Sequence, residues 1–385
     1  MTEELPLAGI KVLEVAQMVA GPSTGLLLAD YGAEVIKVEP PQGDGARQLR
    51  SLAAAQLPHS PVFVGYNRDK RLLRLDLRSD AGRARVLELV DEADVFLESS
   101  RPGVMERLGL GADALLARNP RLVYASVSGF GNGPIGQRKG GVDIIVQAES
   151  GVMSTTGYPD GSPTKVGFTV VDAACGHALC HGILAALFRR ERTGRGEVVR
   201  VSLYDVALHL QTGPLTEYLM TGQQSPRSGN SAPLTAPADL LRCRDGNIIV
   251  SAYLEHHWTK FAHTIGAPEL LTDPRFGSGV ERAAHRTELV DIIEKHLAIH
   301  DVRTWVSRLE DAGILVAEVK DYAGVTADPL AAETGLLRAV GDGYGVASPI
   351  RLERTPDRAL RPRIEDDDNA AGFTTQHAST TQETS

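Results

Sequence analysis

The chain contains few cysteines, few aromatic residues and no excess of positive charge. Of its 385 residues three are cysteines, aromatic residues make up 5%, and the formal net charge is −9. Three cysteines exclude a disulfide framework and a four-cysteine zinc site, and so low a number is typical of a reducing compartment. The negative charge argues against general nucleic-acid binding, which needs a basic surface. We therefore expect a cytoplasmic protein without nucleic-acid partners.

Signals for secretion or membrane insertion are also missing. The N-terminal residues MTEELPLAGIKVLEV lack the basic and apolar regions of a signal peptide. No apolar run approaches the roughly 20 residues that span a bilayer, so we expect no membrane partner. A chain of 385 residues is too long to fold around a single hydrophobic core, so we predict two or three domains.

Strand and helix patterns alternate along the first 130 residues. Short runs rich in branched residues at 10–16 and 34–39 flank a helical segment, and similar pairs follow over 81–98 and 112–128. This alternation predicts an α/β fold with a parallel sheet covered on both faces. Ligands bind past the carboxyl ends of such strands. The candidate binding loops are therefore 16–22, 40–50, 97–107 and 128–140.

A second kind of organisation begins near residue 225. The stretch SPRSGNSAPLTAPAD is dense in turn-forming residues, and a hairpin pattern at 240–252 and helical patterns over 255–310 follow it. This block predicts a smaller α+β domain. From residue 365 onward large apolar residues are almost absent, which predicts a disordered tail.

The most informative stretch is KVGFTVVDAACGHALCHGILAALFRRERTGRG at 165–196. It predicts a strand at 166–171 and a helix at 176–190, with Asp172 at their junction. One interpretation is a helix N-cap, which stabilises a helix by roughly 1 kcal/mol. The other is a carboxylate nucleophile kept ionised by the helix dipole, with backbone N–H groups binding the oxyanion formed on a thioester carbonyl. Local chemistry alone does not choose between them.

A nearby pattern has the spacing of a metal site. His177 and His181 stand four residues apart on the predicted helix, but no partnering Glu or further ligand cluster accompanies them. We therefore predict no metal site.

Several sequence blocks occur together in one order. They include AGPSTGLLLADYGAEVIKVEPP at 20–41, NRDKRLLRLDL at 67–77, NPRLVYASVSGFG at 119–131, GGVDIIVQAESGVMSTTG at 140–157 and VVDAACGHALCHGILAALFRRERTGRGEVV at 170–199. In these blocks the chain resembles the class III coenzyme A transferases, the family of formyl-CoA transferase, carnitine CoA-transferase and alpha-methylacyl-CoA racemase. The resemblance extends to about residue 330.

The resemblance implies a Rossmann-like parallel-sheet large domain, a smaller α+β domain and an interlocked homodimer. The implied boundaries are 1–200 for the first part of the large domain, 201–228 for a linker, 229–312 for the small domain, 313–364 for a return linker and the C-terminal part of the large domain, and 365–385 for the tail.

The resemblance also implies that Asp172 is catalytic. Its carboxylate attacks a donor acyl-CoA to give a mixed anhydride, and the CoA thiolate returns to form an aspartyl-CoA thioester. An acceptor carboxylate then reverses the exchange. The substrates implied are an acyl-CoA donor and a small carboxylic acid acceptor, with coenzyme A as substrate and no permanently bound cofactor.

The positions implied to contact CoA lie in the N-terminal third. Arginine and lysine there would neutralise the CoA phosphates and Leu72 would lie against the adenine, although an isolated surface cation is commonly just solvated. These positions are Gln17, Met18, Val19, Ala20, Lys37, Arg47, Lys70, Arg71, Leu72 and Arg107.

The chain departs from the family pattern at several positions. Val142 stands where a Tyr, or in racemases a His, commonly precedes the Asp, and valine cannot transfer a proton. The usual ENF-x-PG reads ESSRPG at 98–103, and no glycine-rich run is evident between 221 and 240. These departures disfavour a racemase and a formyl–oxalate pair. A racemase with Asp172 as base and a non-catalytic CoA-binding protein remain the alternatives to a CoA transferase.

Overall fold

The computed structural model describes residues 5–233, 235–341, 343–355, 357–365 and 373. The chain divides into two compact units. The first lies within residues 1–152, 166–216 and 330–385, and the second within 153–165 and 217–329. Residues 153–165, which the implied boundaries assign to the large domain, therefore belong to the second unit.

The described residues form strands and helices that we number in chain order. The strands are β1 (Lys11–Val15), β2 (Glu34–Glu39), β3 (Lys70–Arg74), β4 (Val95–Glu98), β5 (Val123–Ser128), β6 (Glu197–Ser202), β7 (Ala238–Arg242), β8 (Asn247–Ser251), β9 (Leu315–Glu318), β10 (Leu337–Val340), β11 (Gly343–Val346) and β12 (Ile364–Glu365). The α-helices are α1 (Ala20–Asp30), α2 (Pro61–Asn67), α3 (Asp80–Glu92), α4 (Val104–Arg107), α5 (Ala112–Arg118), α6 (Asp143–Glu149), α7 (Val152–Thr155), α8 (Val170–Thr193), α9 (Leu203–Leu210), α10 (Thr212–Thr221), α11 (Glu255–Thr264), α12 (Gly279–Ala284), α13 (Arg286–Leu297), α14 (Val302–Asp311), α15 (Tyr322–Thr326) and α16 (Pro329–Thr334).

The first unit is built on a seven-stranded parallel sheet. Its strand order is β12-β3-β2-β1-β4-β5-β6, so the chain reverses its direction of progress across the sheet at β1. The α/β prediction is confirmed. The predicted strands that became β1, β2, β4 and β5 are also confirmed, whereas β3 and β6 were not predicted from the sequence.

Alternate residues of the strands build two apolar layers. Val12 lies opposite Val35 and Val95 and packs under α1 and α8, whereas its neighbour Leu13 faces the layer that holds α3 and α5. Successive side chains of a strand point to opposite faces, so a sheet buried on both faces reads as a continuous apolar run. Helices therefore cover both faces of this sheet.

The predicted strand at 166–171 is wrong. Residues 162–169 form no strand, and α8 already begins at Val170. The valine-rich run suggested a strand, but a carboxylate from another helix binds the backbone N–H groups of residues 171 and 172 and thereby fixes a helix start.

Helix α8 is a core helix that packs closely against α1. A Cβ atom at Gly176 would lie 2.5 Å from the Ser23 Oγ atom, and the Thr24 hydroxyl donates to the Gly176 carbonyl oxygen at 3.2 Å. In length and composition α8 also meets the criteria for a membrane span, contrary to the expectation that no apolar run is long enough. Its buried face is part of the apolar layer beneath α1, as in a core helix of a soluble protein.

The second unit has its own sheet and core. Strands β7, β8 and β9 form an antiparallel sheet, which confirms the predicted hairpin at 240–252. Helices α11, α13 and α14 contribute Trp258, Leu289 and Trp305 to its apolar core. The buried Arg282 guanidinium donates to the Ala236 carbonyl oxygen at 2.9 Å and pairs with Glu255 at 2.7 Å.

Two residues of the predicted disordered tail are ordered. Glu365 lies in β12, which pairs with β3, and the Phe373 side chain is buried in the layer with α3 and α5. The other tail residues, 366–372 and 374–385, lie outside the described residues.

Candidate active site and substrate cavity

Asp172 is the third residue of α8 and its side chain is half-buried. It is not the N-cap, because Thr169 holds that position. Burial raises the pKa of the Asp172 carboxyl to about 7, and the Asp143 carboxylate contributes to the same shift. At neutral pH about half of this carboxyl is therefore ionised. The prediction that the helix dipole keeps Asp172 ionised is therefore corrected, because this carboxyl titrates near neutral pH.

Asp143, the first residue of α6, caps α8. Its Oδ2 atom accepts hydrogen bonds from the Val171 and Asp172 amides at 2.8 and 3.1 Å. Gln147, one turn further along α6, donates to the Asp143 Oδ1 atom and accepts from the Val166 amide at 2.9 Å. Asp143 thus holds the backbone of Asp172 in place. Sequence analysis missed this role, although an acid and an amide four residues apart at a helix start were visible in D-I-I-V-Q.

The first amides of α8 already have acceptors inside the protein. The Val170 amide donates to the Phe168 carbonyl and the Ala173 amide to the Thr169 carbonyl, while Asp143 accepts from the two between. The prediction that these N–H groups bind an oxyanion is therefore not supported by the geometry.

Tyr66 on α2 lies beside this helix start. Its side chain is half-buried and its hydroxyl is hydrogen-bonded to Thr169. Burial raises the pKa of Tyr66, and the nearby Asp172 and Asp143 carboxylates raise it further. Tyr66 was not identified from the sequence, because a tyrosine in a short helix carries no signal for a site.

A cavity of about 420 Å³ lies at the carboxyl ends of β1 to β4 in the first unit. This is the size of a small-molecule site, and the position is where parallel sheets bind ligands when the strand order reverses. The lining residues are Val15, Gln17, Val38, Glu39, Pro40, Pro41, Gln42, Leu75, Asp76, Leu77, Arg78, Ser100, Val104, Met105, Arg107 and Leu108. A second cavity of about 490 Å³ is lined by Asp30 and Tyr31 at the other end of α1 and contains none of the residues predicted for the site.

The predicted CoA-contacting residues are placed differently from one another. Gln17 and Arg107 line the cavity and are exposed, and the Met18 side chain next to Gln17 is exposed as well. Val19 and Ala20 are buried at the start of α1. The cavity thus brings together Gln17 and Arg107, which are 90 positions apart in the sequence.

Lys37 and Lys70 are fully buried, contrary to the expectation that their ammonium groups meet phosphate. Lys37 Nζ pairs with Glu14 at 3.0 Å and with Asp44 at 2.9 Å, and Lys70 Nζ pairs with Glu14 at 2.7 Å. Burial lowers the pKa of Lys37, but the two carboxylates outweigh it and leave the pKa raised. Burial lowers the pKa of Lys70 to about 8 against the opposing effect of Glu14. Both lysines belong to an internal ion cluster.

The remaining predicted residues already have partners. Arg47 pairs with Glu39 at 2.8 Å and Glu365 at 3.2 Å and stacks on the Phe63 ring, and Arg71 pairs with Glu34 at 3.3 Å. Leu72 is 2% exposed and packs in a small apolar cluster, so its side chain does not reach the cavity.

Two lining residues, Leu75 and Arg78, were missed because β3 was not recognised as a strand. Both follow β3, and the Arg78 side chain is exposed. The signal was present in the run KRLLRLDLR, but the charges within it hid the strand pattern.

The chain matches known proteins along most of its length. Residues 7–367 match the family described as CoA-transferase family III. The "Probable fatty acyl-CoA transferase Rv3272" of Mycobacterium tuberculosis is 40% identical over 95% of both chains. The acetyl-CoA:oxalate CoA-transferase of Acetobacter aceti is 37% identical over 93% of this chain and 92% of its own. The crystal structure of a CAIB/BAIF family protein from Brucella suis matches with a TM-score of 0.87 at 33% identity, covering 95% of this chain and 97% of that one.

Proposed function

The chain belongs to CoA-transferase family III, and we propose that it moves CoA from an acyl-CoA donor to a small carboxylic acid through covalent intermediates on Asp172. The observation that carries this proposal is the half-buried Asp172 carboxyl, whose pKa is raised to about 7. The Asp143 carboxylate holds the Asp172 backbone amide in place. A half-buried carboxyl that titrates near neutrality can act first as the nucleophile and later as the leaving group.

The proposed reaction balances with the carboxylate and CoA alone. An Asp172 oxygen attacks the thioester carbonyl, the C–S bond breaks, and a mixed anhydride and CoA thiolate result. The thiolate attacks the aspartyl carbonyl of the anhydride, which releases the donor acid and leaves an aspartyl-CoA thioester. The acceptor carboxylate attacks that thioester to give a second anhydride, and the thiolate then takes the acceptor acyl group and frees Asp172.

We place the nucleotide part of CoA in the cavity at the carboxyl ends of β1 to β4. Arg78 and Arg107 supply exposed guanidinium groups for phosphates, and Leu75, Pro40 and Pro41 supply an apolar wall for the adenine. Gln17 lines the cavity, and Val19, two residues later, immediately precedes α1. Helix α1 packs against α8, the helix that carries Asp172. In this arrangement Gln17 and Met18 contact CoA directly and Val19 and Ala20 contribute backbone groups. Five further residues do not line the cavity and stabilise the surrounding structure through their ion pairs and apolar contacts: Lys37, Arg47, Lys70, Arg71 and Leu72.

We also propose that the active form is an interlocked homodimer in the cytoplasm. Large apolar side chains are exposed in both units, including Phe188 at 68% on α8 and Met220 at 82% on α10, and a second copy would cover them. All three cysteines are unpaired, which suits a reducing compartment. Light scattering during size-exclusion chromatography should give twice the chain mass. A monomer that retains full activity would contradict the dimer.

The test of the function is a transfer assay that follows product acyl-CoA by chromatography. With a panel of acyl-CoA donors and carboxylic acids, we expect wild-type protein to form new acyl-CoA and Asp172→Asn to form none. Asp113→Asn is the matched control, because Asp113 is an exposed acid in the first turn of α5. It should retain wild-type rates.

A second experiment addresses the racemase alternative. Incubation of the protein with a 2-methylacyl-CoA in deuterated water, without an acceptor acid, reports α-proton exchange. A carboxylate nucleophile predicts no exchange. Exchange that depends on Asp172 would replace the transferase proposal with proton-transfer chemistry.

A further inference from the structure

The loop between β1 and α1 is held by three side chains from three different segments. The Ala16 carbonyl oxygen accepts from Lys37 Nζ at 2.6 Å, the Gln17 amide donates to Ser99 Oγ at 3.0 Å, and the Met18 amide donates to Asp44 Oδ1 at 3.0 Å. Backbone groups of three successive residues in a surface loop, from two adjacent peptide groups, thus have side-chain partners. Such a pattern fixes backbone conformation far more tightly than exposed loops require.

Met18 has an unusual backbone conformation. Its φ angle is +70°, in the left-handed region that residues other than glycine rarely adopt. Strain of this kind persists only where the surroundings enforce it, and it is often found at ligand sites. The Met18 side chain is exposed, and a Cβ atom at Gly45 would lie 3.1 Å from its Sδ atom. Met18 therefore lies over the segment that contains Asp44.

Asp44 connects this strained residue to the buried ion cluster. Its Oδ1 atom accepts from the Met18 and Ala46 amides, and its Oδ2 atom lies 2.9 Å from Lys37 Nζ. Lys37 pairs in turn with Glu14, which also pairs with Lys70. The four side chains are fully buried and carry two positive and two negative charges. Burying four charges is expensive even when they are paired, so general stabilisation of the core does not explain the cluster.

We propose that Asp44 is the positioning residue of the CoA-contacting loop, and that its contact with the buried Lys37 ammonium holds the Asp44 carboxylate in its orientation. Asp44 accepts from the Met18 amide and Lys37 donates to the Ala16 carbonyl oxygen. The pair therefore fixes the loop backbone on both sides of Gln17. The exposed Gln17 and Met18 side chains are thereby presented to the ligand before it binds. This inference rests on the proposed function only in naming CoA as that ligand.

The first test measures the loop without ligand. Hydrogen–deuterium exchange of the peptide that contains Met18 should become at least about tenfold faster in Asp44→Asn, since a hydrogen bond to a charged acceptor is replaced by a weaker one. Asp44→Glu keeps the charge but moves the carboxylate by one methylene, and it should change exchange in the same direction. Asp30→Asn is the matched control, because it also removes a carboxylate from a buried pair, with Arg68 at 2.6 Å, at the opposite end of α1. It should leave exchange of the loop within about twofold of wild type.

The second test measures affinity for free CoA by calorimetry. Asp44→Asn should weaken binding about tenfold or more, whereas Asp30→Asn should not. Glycine adopts the left-handed region without strain, so Asp44→Asn should cost less affinity in a Met18→Gly background. This partial rescue would not occur if Asp44 served only the stability of the fold.

The two readouts separate the inference from the proposed function. Folded Asp44→Asn and Asp44→Glu proteins with wild-type exchange at Met18 would overturn the positioning role, whatever their activity. Wild-type protein that binds no CoA would refute the proposed function, and the exchange measurement would still decide the role of Asp44. Equal weakening of CoA binding in Asp30→Asn and Asp44→Asn would also overturn the inference.

Discussion

The pH dependence of the first acyl transfer follows from the position of Asp172. Its carboxyl is half-buried in the first turn of α8, and burial together with the Asp143 carboxylate raises its pKa to about 7. Only the ionised carboxylate is a nucleophile. With this pKa, about a tenth of the carboxyl is ionised at pH 6 and about nine-tenths at pH 8. The rate constant for acylation should therefore rise about tenfold over that interval and level off above it.

The assay is a single turnover with an acyl-labelled CoA thioester and no acceptor acid, quenched at intervals and scored by release of the donor acid. Omitting the acceptor isolates the steps at Asp172 from the second half of the reaction. A rate that is flat from about pH 5.5 to pH 8 would mean that Asp172 has the pKa of an ordinary carboxyl. A rate that falls as the pH rises would contradict a carboxylate nucleophile.

Further predictions concern the groups around Asp172 and the cavity. Asp143→Asn removes the neighbouring charge that raises the pKa of Asp172, so the acid limb of the same pH–rate profile should move to lower pH; an unmoved limb would contradict the electrostatic role of Asp143. Because the pKa of Asp172 is raised in the folded state, the contribution of this carboxyl to stability is lost as the pH rises from about 4 to 7. Asp172→Asn should therefore stabilise the protein by about 1–2 kcal/mol at pH 8 but little at pH 4, as measured by thermal unfolding. Equal stabilisation at both pH values would contradict this prediction. Arg78→Ala should raise KM for acyl-CoA about tenfold or more and leave KM for the acceptor acid unchanged. Arg195→Ala, beyond the far end of α8, is the control for lost charge, and an equal effect there would refute the cavity assignment.

The strands of the sheet were predictable where their own residues dictated burial. The segments that became β1 and β2 are rich in branched residues, and every residue but the first in each is buried. Strand β3 escaped prediction because Lys70, Arg71 and Arg74 interrupt its apolar pattern. Lys70 is tolerated inside because Glu14, 56 residues earlier, pairs with it and the Pro22 carbonyl oxygen also accepts from its ammonium group. No local pattern shows such a partner.

The sequence predicts Asp172 as the candidate catalytic residue but does not predict the contacts that surround it. Asp172 was identified from its block of sequence, whereas the α8 start that holds it depends on Asp143 from another helix. Lys37 and Lys70 were predicted as phosphate ligands because the resemblance to the family implied that these positions contact CoA. Their burial results from the pairing of Glu14 and Asp44 in three dimensions, which sequence spacing does not reveal.

The most direct measurement is mass spectrometry of the intact protein and its peptides after mixing with acyl-CoA, quenching and trapping with hydroxylamine. A covalent aspartyl intermediate predicts a hydroxamate on the peptide that contains Asp172, formed by the wild type and by Asp113→Asn and absent from Asp172→Asn. Wild-type protein that turns over acyl-CoA without any modification at Asp172, or an Asp172→Asn protein that still transfers CoA, would contradict the account.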